Sequence, residues 1–79
     1  MREPILKHLV QTGKAGQVVL RSTEYGFVLL LRDGDVEDSL EAKRGHTRHF
    51  RKLDTLVGYL RDLGVRSAVL ELEAESPGL

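Results

Sequence analysis

The residues of this chain that could bind a ligand are concentrated in one segment, KRGHTRHFRK, from Lys43 to Lys52. Its arginines can each form two parallel hydrogen bonds to a phosphate, and its lysines can neutralise further negative charge. Histidine and threonine side chains can donate hydrogen bonds to a phosphate backbone or to base edges. The segment therefore predicts a phosphate-binding surface made of Lys43, Arg44, His46, Thr47, Arg48, Arg51 and Lys52.

This basic segment contrasts with the whole chain, in which twelve Lys and Arg residues balance twelve Asp and Glu residues. Five of the acids lie just before it, between Asp33 and Glu41. Separated charges create a local field that the net charge conceals, which favours contact with an external phosphate. The same arrangement also fits an acidic strand paired with a basic strand across a hairpin. The sequence leaves both interpretations open.

The type of nucleic acid can also be inferred from this segment. A two-stranded ribbon that carries these side chains could enter the major groove of DNA, and a dimer would double the phosphate contacts. Phe50, which we expect to be buried, gives little support for stacking on single-stranded bases. The expected partner is therefore double-stranded DNA.

No other residues form a recognisable reactive or metal site. His46 and His49 lie in a basic segment that would repel a metal ion, and no nearby acid completes a ligand set. Gly13 and Gly16 precede a strand, whereas a phosphate-cradling loop follows a strand and opens a helix. The sequence predicts a non-enzymatic protein with no metal and no cofactor.

The elements that must position the basic segment follow from hydrophobic periodicity. Pro4 to Thr12 is either a short amphipathic helix or a flexible arm. Strands are predicted at Gln17–Ser22 and Phe27–Arg32, and Asp33-Gly34 predicts a type I′ turn into a third strand that begins at Val36. Residues 47–50 form either a fourth strand or the approach to the next helix.

The main helix is predicted from Thr55 to Leu63, with Asp54 as its N-cap and Gly64 as its end. Gly58 lies inside it, where glycine destabilises a helix by about 1 kcal/mol, so we expect close backbone packing at that position. The last strand is predicted over residues 66–73.

These elements predict an α+β domain over residues 17–73 with the order β-β-β-(β)-α-β. Its sheet is mainly antiparallel, has three to five strands, and carries the main helix on one face. Residues 1–16 form the N-terminal helix or arm with its linker, and residues 74–79 form a disordered tail.

The second strand is apolar on both faces, because Val28 and Leu30 alternate with Phe27, Leu29 and Leu31. A single helix covers only one face of a small sheet, so the other face must meet the N-terminal helix or a second subunit. We expect a homodimer with Val28 and Leu30 in its interface.

Membrane insertion is not expected, because no apolar run reaches the roughly 20 residues that a spanning helix needs. The N-terminal residues also lack the long apolar region of a signal peptide. We therefore expect a cytoplasmic protein.

The run from Ala42 to Val65, AKRGHTRHFRKLDTLVGYLRDLGV, followed by an alternating strand, resembles small plasmid-encoded, partition-associated proteins of the ParC-like type. The shared pattern is A-R-G, a basic pair, F-x-x-L-D and L-R-x-L-G, and the likeness covers roughly residues 25–73. The resemblance implies a bacterial role beside the machinery that segregates plasmid or mobile-element DNA, with other partition proteins as partners. It carries no catalytic or contact residue onto this chain.

The sequence thus predicts a non-enzymatic accessory protein of plasmid or mobile-element DNA maintenance that binds DNA through its basic segment. The alternative is a protein-interaction or assembly module that makes no nucleic-acid contact. DNA affinity at low salt, and its dependence on the arginines, would separate the two.

Overall fold

Two tight turns fold residues 17–39 into an antiparallel meander. The computed structural model describes residues 1–72, in which β1 (Gln17–Thr23) pairs with β2 (Gly26–Asp33) and β2 pairs with β3 (Val36–Ser39). The short strand β4 (Val69–Glu71) joins the other side of β1 in parallel, so the strand order is β3-β2-β1-β4. The predicted α+β class, with a mainly antiparallel sheet, is confirmed.

The turn between β2 and β3 differs from the prediction by one residue. Asp33 pairs with Val36, so the two loop residues are Gly34 and Asp35, and only Gly34 has a positive φ, at +62°. A glycine with positive φ at the first loop position is the arrangement of a type II′ turn, whereas a type I′ turn requires positive φ at both positions.

Two helices accompany the sheet, α1 (Glu3–Gln11) and α2 (Leu53–Leu63). The N-terminal segment is thus a helix and not a flexible arm. Within residues 1–72, neither helix is long and apolar enough to cross a membrane.

The ends of α2 match the prediction only at the C-terminus. Gly64 ends the helix in the left-handed conformation, at φ +96°, as expected. The N-cap is Lys52 and not Asp54, which lies in the first turn, where its charge still favours the positive end of the helix dipole. Gly58 has no neighbouring heavy atom within 4 Å of a Cβ placed on it, so the expected close packing at Gly58 is wrong.

Both helices pack on the same face of the sheet. Leu6 of α1 and Leu56 and Leu60 of α2 share one buried cluster with side chains that alternate along β1 and β2. The sheet residues and loop anchors of this cluster are Val18, Leu20, Leu29, Leu31, Leu40 and Phe50.

The opposite face of the sheet holds a second cluster, made of Val19, Val28 and Leu30. The sequence predicted that α1 or a second subunit would cover this face, but α1 packs on the other side. Within one chain, Val28 and Leu30 are 6% and 2% exposed. Their place in a dimer interface stays a prediction.

The last strand is shorter than expected, since β4 contains only Val69–Glu71. Glu73 and the predicted tail at 74–79 lie outside the described residues.

Candidate nucleic-acid interface

The basic segment leaves the sheet after β3 and first forms a closed loop. The Ala42 amide donates a hydrogen bond to the His46 carbonyl at 2.7 Å, and Glu41 and Thr47 form an isolated antiparallel bridge. These contacts close the loop across its base. Its exposed part carries Lys43, Arg44 and His46.

The segment returns to the sheet at Phe50, which is buried as expected. The Phe27 amide donates to the Phe50 carbonyl at 2.7 Å, and the Phe50 amide donates back to the Phe27 carbonyl at 2.8 Å. Residues 47–50 are therefore the approach to α2, joined to the sheet by isolated bridges. Over residues 43–52 no regular two-stranded ribbon forms, and the basic residues are presented by an irregular loop.

Arg48 is the one cation of the segment that is held by packing. Its guanidinium lies 4.7 Å from the ring centroid of Phe50 and 5.1 Å from that of Tyr59. The two rings are themselves in contact, with centroids 5.6 Å apart. Cation–π attraction and this packing leave Arg48 half-buried, so it has a structural role in addition to its charge.

The other four cations of the segment, Lys43, Arg44, Arg51 and Lys52, are exposed. Among residues 1–72, none of these four, nor Arg48, lies within ion-pair distance of a carboxylate. Thr47, the remaining predicted contact residue, is half-buried in the bridge to Glu41. The structure thus brings the predicted site residues together on one loop and its return path.

Three of the five acids that precede the segment bind other partners. Glu37 bonds to Arg21 and Arg32, and the amino group of Met1 contacts Asp38 at 2.8 Å and Glu41 at 3.4 Å. The acidic strand and the basic segment therefore do not neutralise each other within the described part of the chain. Their backbones meet only at the bridge between Glu41 and Thr47, and the charge pairing of the second sequence interpretation is not formed there.

The acids on the far face of the sheet are held ionised by arginines. Arg21 donates to both carboxylate oxygens of Glu37, at 3.0 and 2.9 Å, and to Glu71 at 2.9 Å. Hydrogen bonds from Arg21 and then Arg32 lower the pKa of Glu37 to about 2. Bonds from Arg32 and Arg21 also lower the pKa of Glu71. We name these four residues, Arg21, Arg32, Glu37 and Glu71, the ion-pair network.

A cleft of about 630 Å³ lies between the start of α1 and the loop of the basic segment. Cations and acids both line it, among them Arg2, Glu3, Glu41, Lys43 and Arg48. The Tyr59 hydroxyl donates to Glu3 at 2.7 Å, which lowers the pKa of Glu3. Desolvation and then the Glu3 contact raise the pKa of Tyr59 to about 12. Mixed charge makes this cleft a weaker anion site than the exposed loop.

One residue near the segment was missed by the sequence analysis. Tyr25 forms the β1–β2 turn together with Glu24, and its ring meets that of His49 edge to face, with centroids 5.9 Å apart. In the sequence it lies between the predicted strands Gln17–Ser22 and Phe27–Arg32, about two dozen positions away from His49. The signal that could have found it is a large aromatic side chain in a two-residue turn, where no core is available to bury it.

No family model, curated protein or solved structure matches this chain. Within residues 1–72, no three His, Cys, Asp or Glu side chains converge in a way that could hold a metal ion.

Proposed function

We propose that this chain is a non-enzymatic accessory protein of DNA maintenance that acts in the cytoplasm and binds nucleic-acid phosphates through Lys43–Lys52. One observation carries the proposal: five cations lie together with no carboxylate partner among residues 1–72, while three of the five neighbouring acids are bonded elsewhere. Cations in this state attract a polyanion without first breaking internal ion pairs.

The wider role is supported by the resemblance of residues 42–65 to partition-associated proteins of the ParC-like type. On that basis we propose that the DNA is that of a plasmid or mobile element and that other partition proteins are partners. Double-stranded DNA was the form expected from a ribbon in the major groove. The irregular loop that carries the cations fits contact with phosphates better than insertion of a ribbon.

The test is a salt titration of binding to a fluorescently labelled oligonucleotide, followed by anisotropy. The variant combines Arg44→Gln, Arg51→Gln and Lys52→Gln, all at exposed positions. Each lost phosphate contact reduces the slope of log affinity against log salt by about 0.7 to 0.9, so we expect a slope smaller by about two to three.

The matched control removes the same number of exposed cations elsewhere, with Lys7→Gln, Lys14→Gln and Arg66→Gln. Its slope should stay close to that of the unmodified chain. Absence of binding at low salt, or equal losses in the two triple variants, would contradict the proposal.

Self-association is a second candidate function, and the β4 edge of the sheet favours it. Leu70 and Leu72 at this edge are 43% and 72% exposed. The opposite edge, β3, carries Glu37 and Asp38, and charged side chains on an edge strand disfavour pairing with a second copy. We propose that a homodimer pairs β4 with β4 of a second copy.

Sedimentation of a Leu70→Lys variant tests this candidate, with Val36→Lys on the β3 edge as the control. Loss of the dimer only in Leu70→Lys supports pairing at β4. A dimer that survives this change, and is lost in Val28→Ala and Leu30→Ala variants, would support the face predicted from sequence.

A further inference from the structure

We propose that Tyr25 is a stacking surface for an unpaired base, so that the preferred ligand of this site is single-stranded nucleic acid; this inference rests on the proposed function and names its ligand class. Tyr25 belongs to a different part of the sequence from the basic segment. The fold alone brings it to that segment.

The first observation is the exposure of the ring. Thr23 pairs with Gly26, so Glu24 and Tyr25 form the whole β1–β2 turn, and the Tyr25 side chain is 69% exposed. A tyrosine ring with that much surface in water cannot have both faces covered. At least one flat apolar surface is therefore available to a ligand.

The second observation is that the turn is rigidly placed. The Tyr25 amide donates to the Thr23 hydroxyl at 3.1 Å, and the Phe27–Phe50 hydrogen bonds join the end of the turn to the basic segment. A Cβ on Gly26 would lie only 2.3 Å from the Phe50 carbonyl oxygen, so the two backbones are in direct contact there. Little backbone conformational entropy is left for a ligand to remove at this turn.

The third observation is the contact between the ring and the basic segment. The Tyr25 ring contacts His49, which in the sequence lies between Arg48 and the pair Arg51 and Lys52. His49 itself is positioned by its Nδ1, which lies 3.2 Å from the Thr47 carbonyl oxygen. An aromatic surface beside a cationic segment is the arrangement by which proteins bind single strands, with phosphates on the cations and bases on the rings.

A duplex does not use such a surface. Its bases are already stacked on each other, and only phosphates and base edges face the protein. The single-stranded form gains the stacking contact in addition to the phosphate contacts. The Tyr25 ring therefore distinguishes single strands from duplexes, whereas the cations bind both.

The experiment compares a labelled 15-nucleotide single strand, as oligo(dT) and as oligo(U), with a duplex of the same length, chosen because single-strand sites cover about 4 to 16 nucleotides. Tyr25→Ala should lower single-strand affinity roughly 10-fold, which corresponds to the loss of one base stack, and change duplex affinity by less than about twofold. Tyr25→Phe keeps the ring and should bind as the unmodified chain does. Val36→Ala, an exposed apolar residue next to the other hairpin turn, is the matched control.

A direct readout is available because the chain has two tyrosines and no tryptophan. In a Tyr59→Phe background, tyrosine fluorescence reports Tyr25 alone and should be quenched by the single strand and not by the duplex. Equal affinities of Tyr25→Ala and the unmodified chain for single strands would overturn the inference while leaving phosphate binding intact. Binding of neither form by the unmodified chain would overturn the proposed function as well.

Discussion

Arg32 on β2 forms an ion pair with Glu71 on β4 and thereby reaches across β1, the strand between them. Val19, which is 0% exposed, lies on β1 midway between the residue that pairs with Arg32 and the residue that pairs with Glu71. Arg21 reaches across β2 to Glu37 in the same way and passes over Leu30. The second face of the sheet is thus covered by the aliphatic stems of charged side chains, and one chain needs no helix there.

We expect the stems, more than the charges, to stabilise this face. Ion pairs near the surface often contribute little to stability, and we expect the stem of Arg32 to exclude water from Val19. Arg32→Ala should therefore lower the melting temperature clearly more than Arg32→Met, which keeps an unbranched apolar stem. Circular dichroism melts of the two variants provide the measurement, and equal losses would show that charge is the main contribution.

The ion-pair network also makes the stability of the fold depend on pH in the acidic range. The folded pKa of Glu37 is about 2, below its ordinary value of 4.5, and the pKa of Glu71 is also lowered. A carboxyl with a depressed pKa contributes stability above the ordinary value, and that contribution is lost as the pH falls toward the folded pKa. We expect the melting temperature to fall between about pH 4.5 and 2. A Glu37→Gln variant should show a shallower fall over this range, and an unchanged pH profile would contradict the assignment.

Two glycine-to-alanine substitutions should have opposite effects. Gly26 has φ +126°, and a Cβ there would meet the Phe50 carbonyl oxygen at 2.3 Å, so Gly26→Ala should destabilise by more than about 1 kcal/mol. Gly58 lies inside α2 with open space around it, so Gly58→Ala should stabilise by about 0.5 to 1 kcal/mol. Urea unfolding measures both, and a destabilised Gly58→Ala would show that α2 is packed more closely than described.

The hydrogen bond between Tyr59 and Glu3 joins the two helices, and its loss should be measurable. Tyr59→Phe keeps the ring that packs on Phe50 and Arg48 but removes the donor, which should lower the free energy of unfolding by about 1 kcal/mol. The folded pKa of Tyr59 is raised from 10.0 to about 12, so its contribution is present below pH 10 and is lost as the pH rises through 12.

In a Tyr25→Phe background, the ultraviolet absorbance of tyrosinate follows Tyr59 alone. A midpoint near the ordinary value would mean that neither burial nor the bond to Glu3 acts on this hydroxyl in solution. Glu3→Gln serves as the partner control, because it should lower the midpoint without changing the ring.

Local signals explain why much of the fold could be predicted. The Asp33-Gly34-Asp35 stretch, the leucine spacing of α2 and the glycine after Leu63 act over a few residues, so they predict a hairpin, a helix and its end. The start of α2 was predicted wrongly because a tertiary contact overrides a local signal there. Asp54 is a good N-cap in isolation, but the return of the chain at Phe50 places the helix start at Leu53.

The sequence predicted which residues form the candidate site but not which side chains surround them. Charge alone indicated Lys43–Lys52. Whether the acids pair with those cations depends on the strand order. Glu37 on β3 bonds to Arg21 on β1, and not to the basic segment, because β1 and β3 flank β2. The partners of the acidic residues therefore could not be predicted without the strand order.

The sequence by itself determined the α+β class, the meander, the main helix and the basic segment, because short-range periodicity and turn chemistry specify each of them. Only the tertiary structure decided that both helices pack on one face, that charged side chains cover Val19 and Leu30 on the other, and that Tyr25 lies beside His49. Each of these depends on contacts between residues far apart in the chain. Such contacts are determined by the pairing of strands and the packing of the whole core, which no local pattern encodes.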